Sequence, residues 1–478
     1  MSLAPRHSRL PTAVWFVALA FTGLELAVAA RRPALGYVDQ PPLAPLLTRI
    51  TAVLGTNPIA VRTLPAVAGG LLVAGAAKLA GLFGGGRFAQ ILAAVATACA
   101  PVILGAAHLA GTTIFDLLAW TGVLLAVTTA IQTGRPRYWL LAGVTAGIGL
   151  EFKDLVLLLA ASLVAGLLLT RRGAVLRTRW PWLAAGLAVF LWIPNLLWQV
   201  LNGWPLLTMA AILHSEHSSA NDHVTVLPAQ LLYVGILAAP VVVAGFIWLW
   251  RQREFRYLAV AALLLLAYVV IDIPGRPYYD DGLLPALFAG GAIAIERHFS
   301  ASRRLSRGGW IAAPVVGALI ALPITLPVLP QSILHDIPGL HKLNYDLRET
   351  VGWPEFTTAV ANFAASMKRA GTPPTAIFTS NYGEASALLV FGSQDDLPPV
   401  ISAHNNYWLW GPQGASDQVV LTIGVGDELD SYFGACRAIT QLHAPDGVVN
   451  DEDGVVVGLC TAPREPWTQI WPSIRNFS

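Results

Sequence analysis

The sequence predicts a polytopic α-helical membrane protein with a small α/β domain at its C-terminal end. Three observations carry that reading. Of 478 residues, 55% are hydrophobic and only 12% are charged, against roughly a quarter charged in an ordinary soluble domain. Apolar runs of bilayer length recur along the chain up to about residue 330, and beyond Gln331 they stop. The net charge of +2 and the lack of a basic tract with interleaved aromatics exclude a nucleic-acid partner, whereas the lipid bilayer is an obligatory one.

Taken in order, the apolar spans fall near 11–30, 60–82, 88–109, 113–131, 138–150, 154–170, 180–200, 227–250, 256–273, 282–297 and 309–330. The expectation is therefore about eleven transmembrane helices. The first run has the length of a span and no convincing small-residue cleavage site follows it, so it reads as a retained helix rather than a signal peptide. A single helix across Glu151-Phe152-Lys153-Asp154 would far exceed the roughly 20 residues a bilayer needs, so the chain breaks at these charges. With the N-terminus cytoplasmic, seventeen basic residues fall on the inner side and six on the outer. That asymmetry follows the positive-inside rule and places the tail outside the cytoplasm.

The tail differs in kind. Strand-like stretches (TAIFT at 375–379, VVLTIGV at 419–425, GVVVGLC at 454–460) alternate with helix-like ones such as FTTAVANFAASMKRA at 356–370. The division expected is a membrane domain over 1–330 and an extracytoplasmic α/β domain over 331–478. Cys436 and Cys460 lie in the tail, where an oxidising compartment permits a bridge, whereas Cys99 sits in an apolar span as a buried small hydrophobe. No residue spacing matches a metal site. His214, His217 and His223 share one outer loop and read as a polar loop; no cofactor is required, and nothing supports a divalent cation.

On this topology the polar residues gather at the outer face. Asp39 lies in the first outer loop, Asp116 at the start of the fourth span and Lys153 at the break between the fifth and sixth. Asn195, Gln199, Asn202 and Trp204 cluster at the end of the seventh, and Asp272, Arg276, Tyr278, Tyr279, Asp280 and Asp281 follow the ninth. Ionisable groups at a membrane boundary are costly unless paired or functional. Simpler roles exist for each: a helix cap for Asp39, a solvated helix end for Asp116, a loop ion pair for Lys153, a headgroup anchor for Arg276 and an aromatic belt for the Trp and Tyr residues.

The stretches GYVDQPPL after the first helix, GTTIFD at 111–116, GIGLEFKDLVLLL at 147–159, PNLLWQ and NGWP within 194–205, and GRPYY at 275–279 together resemble one family. It is the PMT-like group (glycosyltransferase family 39) of the GT-C glycosyltransferases, related to protein O-mannosyltransferases and to the lipid A aminoarabinose transferase. ETVGWPEF, SNYGEASALLVFG and NNYWLWG resemble the extracytoplasmic tail of actinobacterial members. The resemblance implies transfer of a sugar, with mannose or a pentose first in expectation, from a polyprenyl-phosphate donor to a glycan, lipid or protein acceptor outside the cytoplasm.

It also implies roles. Asp39 maps onto the general base and Asp116 onto a second acid; apart from the resemblance, the charge of a leaving phosphate makes Lys153, Arg276 and Arg62 candidates for the donor phosphate. Tyr37, Gln40, Asn195, Gln199, Asn202, Trp204, Tyr278 and Tyr279 are candidates for the substrates. Gln40 stands where protein mannosyltransferases carry a glutamate, which turns the expectation towards an envelope glycan or lipid acceptor. Chemistry is consistent with these roles, because glycosyl transfer needs a carboxylate for the acceptor proton and donors for the leaving phosphate. Two rivals remain at this stage: a wall-glycan ligase or polymerase using a diphosphate-linked donor, and a secondary transporter, which should show related halves that this sequence lacks.

The topology is open to a direct check. A reporter active only outside the cytoplasm is expected to be active when fused after Ser478 and silent when fused after Arg172; the opposite pattern would put Asp39 on the cytoplasmic side.

Overall fold

The computed structural model describes residues 21–51, 58–216, 220–271, 277–299, 304–330, 333, 346–392, 396–426 and 429–477. Asp272, Arg276 and the side chains of His214, His217 and His223 lie outside the described residues. The chain partitions into two compact units. One combines Met1–Arg32, Thr48–Thr63 and Pro327–Asn476; the other combines Pro33–Leu47, Leu64–Leu326 and Phe477–Ser478.

The helical unit follows the apolar runs. Its order is α1 (Phe21–Ala29), which belongs to the other unit, then α2 (Leu43–Thr51), α3 (Pro58–Leu82), α4 (Arg87–Cys99), α5 (Pro101–His108), α6 (Thr113–Thr133), α7 (Pro136–Leu150), α8 (Val156–Leu169), α9 (Arg179–Leu201), α10 (Pro205–Glu216), α11 (Ala220–Val234), α12 (Ala239–Arg251), α13 (Arg256–Ile271), α14 (Leu284–His298) and α15 (Arg304–Thr325). The expected break at residues 151–155 is present as a turn between α7 and α8.

Two expected spans are bent instead of straight. The run at 88–109 divides at Ala100, where Pro101 opens α5, with a 60° bend, and the run at 227–250 divides at 235–238 with a 101° bend. Pro101 cannot donate into the preceding helix, and Gly235 turns the second break at φ +87°. By length and apolarity, four described helices can cross a membrane, or six if each bent pair is one span. Others of the expected set, Val156–Leu169 and Arg256–Ile271, are shorter apolar helices, so helix length alone does not fix the number near eleven.

Close helix contact holds this unit together, since lipid offers no hydrophobic gain for packing apolar side chains against each other. Gly245 of α12 sits against the Leu287 carbonyl of α14, and Gly291 of α14 against the Val241 carbonyl of α12; a Cβ at either place would overlap the facing backbone. Thr128 of α6 and Tyr257 of α13 share a buried hydroxyl hydrogen bond of 3.1 Å. Glu296 of α14 accepts from the Gly86 and Ala89 N–H groups at 2.7 and 3.2 Å, which satisfies donors at the start of α4.

The α/β unit is built on a five-stranded mixed sheet. After α16 (Asp346–Glu349) and α17 (Trp353–Arg369) come β1 (Ala376–Thr379), α18 (Tyr382–Phe391), β2 (Val400–Ser402), α19 (Asn405–Trp410), β3 (Val419–Ile423), β4 (Phe433–Gln441), β5 (Val456–Pro463) and α20 (Trp467–Ile470). The strand order is β2-β1-β3-β5-β4, with β2, β1 and β3 parallel and β5 antiparallel to both its neighbours. Alternation in β1 feeds both faces: Ile377 packs with Phe356, Val360 and Leu388, while Phe378 packs with Val420, Ile401 and Trp467. Cys436 and Cys460 are opposite in the β4–β5 register and are joined by a disulfide across a sequence separation of 24. A closed loop of that length stabilises the fold by about 3 kcal/mol on the chain-entropy account.

One buried acid pair makes this unit sensitive to pH. Glu384 is wholly buried; its carboxylate accepts from Ser380 Oγ at 3.0 Å and from the Asn381 N–H at 3.2 Å, while Asn381 Oδ1 caps the start of α18. Burial pushes the Glu384 carboxyl up to about 7, and burial together with the neighbouring Glu384 charge pushes Glu452 up to about 9. The folded chain therefore keeps protons that the unfolded chain releases, so their stabilisation is complete below the ordinary carboxylate range and is lost as pH rises through both values. The thermal midpoint of this unit in the full chain is expected to fall between about pH 6 and pH 9, and Glu452→Gln to flatten that slope. A midpoint independent of pH in the wild type would contradict the buried pair.

Candidate active site

Pro41 and Pro42 set the geometry of the loop that carries Asp39. Each proline fixes φ and lacks an N–H, so α2 starts only at Leu43. The Leu43 N–H donates to the Glu151 carbonyl at 3.0 Å, tying α2 to the turn between α7 and α8. Upstream, the Tyr37 N–H donates to the Gln40 carbonyl at 3.0 Å, and the Ala34 N–H donates to Tyr37 Oη at 3.2 Å. Tyr37 and Gln40 are buried and Asp39 is half-buried between them. Asp39 stands three residues before Pro42, the residue that precedes α2, so it does not occupy the helix-cap position.

The end of α9 receives this loop. Asn195 and Gln199 are one turn apart on the buried face of the helix, 1% and 3% exposed. Gln199 Nε2 donates to the Tyr37 carbonyl at 3.5 Å, and Gln199 Oε1 accepts from the Leu206 N–H at 3.2 Å. Gly36 packs so closely that a Cβ there would lie 2.7 Å from Asn195 Oδ1 and 2.9 Å from the Trp198 ring. Past α9, Asn202 Nδ2 donates to the Trp198 carbonyl at 2.8 Å, and the Trp204 N–H returns to the Gln199 carbonyl at 2.8 Å. Trp204 itself is in the left-handed region at φ 58° and half-exposed, in the manner of an interfacial aromatic. The Asn195 side-chain amide has no hydrogen-bond partner among the described residues.

Lys153 joins three elements. Its ammonium donates to Thr113 Oγ1 at the start of α6 at 3.3 Å and to Tyr278 Oη at 3.5 Å. It also lies 4.8 Å from the Tyr278 ring centre and 5.6 Å from that of Tyr279. The loop ion pair is thus replaced by hydroxyl and ring contacts. Asp116, one turn into α6, is 3% exposed and accepts from Trp120 Nε1 at 3.0 Å, which rules out a solvated helix end. Lys153 is the cation that acts electrostatically on Asp116. Trp120 in turn packs over Gly282 of the 3-10 turn Pro277–Leu283, which carries Tyr278 and Tyr279.

The contacts form one chain within the helical unit, from the Asp39 loop to α9, from the same loop to the 151–155 turn, and from that turn to α6 and the 277–283 turn. Tyr37, Asp39, Gln40, Asp116, Lys153, Asn195, Gln199, Tyr278 and Tyr279 all lie on it. Arg62 lies in the first turns of α3, within Thr48–Thr63, which groups with the other unit. Sequence reasoning missed Thr113, Trp120 and Gly36 as functional positions. Their only signal was their place inside GTTIFD, one turn after it, and inside GYVDQPPL. It placed Asp280 in the polar group after the ninth span but missed Gln230, whose Nε2 donates to Asp280 Oδ1 at 2.8 Å across 50 residues of chain. No group of three or more His, Cys, Asp or Glu able to hold a metal ion occurs among the described residues.

Residues 39–198 match the family described as dolichyl-phosphate-mannose-protein mannosyltransferase. The matched stretch runs from Asp39 past Asp116, Lys153 and Asn195. Two crystal structures of ArnT from Cupriavidus metallidurans superpose on the chain. The apo form has a TM-score of 0.62 at 16% identity and covers 93% of this chain and 95% of that one; the form bound to undecaprenyl phosphate has a TM-score of 0.61 at 16% identity, over 93% and 96%. Over residues 39–198 the chain is similar to that family, and the chain as a whole shares the ArnT fold. No curated protein matches it. The family match stays within the part of the chain that carries the Asp39 loop, α6, the 151–155 turn and α9.

Gly36→Ala is expected to displace the loop, since the new methyl group would have to push Asn195 or Trp198 aside. Hydrogen exchange at the Tyr37 amide should rise while exchange in α6 and α13 stays unchanged. Unaltered exchange at Tyr37 would contradict the packing of the loop on α9.

Proposed function

We propose that this chain is a membrane glycosyltransferase that moves a sugar from a polyprenyl-phosphate donor to an extracytoplasmic acceptor. Mannose or a pentose is the sugar, and a cell-envelope glycan or lipid is the acceptor. The observation that supports this most is the joining of the Asp39 loop, through the Leu43–Glu151 hydrogen bond, to the turn that presents Lys153 to Tyr278. It brings a half-buried carboxylate and a hydroxyl-bound ammonium onto one connected framework. The relative that shares the fold was crystallised with undecaprenyl phosphate, which has the headgroup chemistry such an ammonium would meet.

In this reading the acceptor hydroxyl oxygen attacks the anomeric carbon as its bond to the phosphate oxygen breaks. Asp39 takes the hydroxyl proton, and the prenyl phosphate leaves as an anion. The transition state spreads positive charge over the sugar ring and negative charge over the leaving phosphate. Lys153 meets that negative charge, and its Thr113 and Tyr278 contacts hold it in place before the charge develops. Asn195 offers an unpartnered buried amide to sugar hydroxyls, and Asp116, fixed by Trp120, sets the field around Lys153. Arg276, a cation at the outer boundary in the sequence, is a further candidate for the charge of the leaving phosphate.

Orientation follows the basic-residue asymmetry, with the N-terminus cytoplasmic and the α/β unit outside. Asp39→Asn keeps size and hydrogen bonding but cannot take the proton. Transfer by the purified protein should fall by roughly 10²-fold or more, the typical worth of a positioned base, with donor binding retained. Transfer at the wild-type rate would remove Asp39 from that role and leave Asp116 as the acid to test.

A further inference from the structure

The apolar helix α1, sequence FTGLELAVA, carries a glutamate at its centre. A carboxylate placed in such a helix is costly unless it is paired. Glu25 is wholly buried, and its Oε1 accepts a hydrogen bond from Asn406 Nδ2 at 2.8 Å, across 381 residues of chain. Leu24 and Val28 of the same helix enter the apolar cluster formed by Ile377, Leu388 and Tyr407. α1 is therefore a packed element of the α/β unit, seated on α18 and bonded to α19, the helices that follow β1 and β2.

The attachment continues past the end of the helix. The N–H groups of Ala30, Arg31 and Arg32 donate to the carbonyls of Leu26, Val28 and Ala29, so the last turn is closed. Arg31 Nη1 donates to the Leu389 carbonyl at 3.2 Å and Arg32 Nη2 to Gln413 Oε1 at 2.5 Å, while the Arg32 guanidinium lies 4.5 Å from the centre of the Trp410 ring. The chain is thus fixed to the α/β unit as far as Arg32. The next residue, Pro33, begins the segment that carries Asp39. Six residues lie between Arg32 and Asp39, few enough that the position of one limits the positions open to the other.

We propose that the α/β unit acts as a positioning element for the Asp39 loop, holding its N-terminal end through the Glu25–Asn406 hydrogen bond and the Arg31 and Arg32 contacts. The proposal rests on the glycosyltransferase reading for its catalytic consequence, though not for the restraint itself. Glu25 and Asn406 are positioning residues; neither is placed at the reacting atoms. Glu25 is suited to the task because its buried side-chain oxygen accepts from Asn406 of α19, a contact that ties α1 to the α/β unit.

The test uses full-length protein in nanodiscs, read by hydrogen exchange and by sugar transfer. Asn406→Ala and Glu25→Leu should each raise exchange of the 33–42 amides by about tenfold or more. Exchange in α6 and α13 should not change. Turnover should fall in both variants with donor binding retained, and Glu25→Gln, which keeps an acceptor for Asn406, should restore both readouts. Where Glu25→Leu or Asn406→Ala does not fold, Arg32→Ala takes its place and should raise exchange of the same amides. Unchanged exchange over 33–42 in the folded variants would overturn the proposal and reduce α1 to a packing element. Raised exchange in a protein whose wild type transfers no sugar would support the restraint and refute the function assigned above.

Discussion

The break in the apolar run at Glu151-Phe152-Lys153-Asp154 is the constraint on which the helical unit's site depends. Four residues with three charges cannot continue a bilayer-spanning helix at acceptable cost. The chain ends α7 at Leu150, turns, and restarts at Val156. That turn exposes the Glu151 carbonyl, which the Leu43 N–H takes up, and it delivers Lys153 to Thr113 and Tyr278. Remove the turn, and the Asp39 loop loses its second anchor while the ammonium loses its place. Stacking of Phe152 on Phe115, with ring centres 4.7 Å apart, fixes the same turn to α6 from its apolar side.

Much of this was legible in the sequence because it follows from local rules. Hydropathy marks the apolar helices, consecutive prolines mark a loop that cannot be helix, and charges inside an apolar run mark a break. Short, near-continuous apolar runs in TAIFT and VVLTIGV mark strands whose two faces are both buried. What was not legible depends on partners distant in sequence. Nothing in GTTIFD says that Thr113 will meet Lys153, or in the apolar run after it that Trp120 will bond Asp116. The fit of Gly36 against Asn195 needs the helix end and the loop to be assembled first. The bends at Ala100 and at 235–238 were hidden for another reason: a sliding window averages hydropathy across a break that one proline or one positive-φ glycine creates.

Glu25 shows the same limit from the other side. In a window of apolar residues one carboxylate barely lowers the mean, so the run reads as an ordinary span. Its meaning appears only with Asn406, and with Arg31 and Arg32 seated on Leu389, Gln413 and Trp410. The two arginines count as outer-loop charges in the topology argument, yet they serve as contacts within the α/β unit. The tail is therefore bound into the N-terminal part of the chain by more than its covalent connection.

The central claim is that the framework around Asp39 and Lys153 serves a prenyl phosphate monoester carrying a single sugar. Native mass spectrometry of the protein purified from its own membrane tests this most directly. The account predicts a co-purified polyprenyl-phosphate monosaccharide in the wild type, with occupancy reduced in Lys153→Ala. A diphosphate-linked oligosaccharide in its place, or equal occupancy in the two proteins, would contradict it.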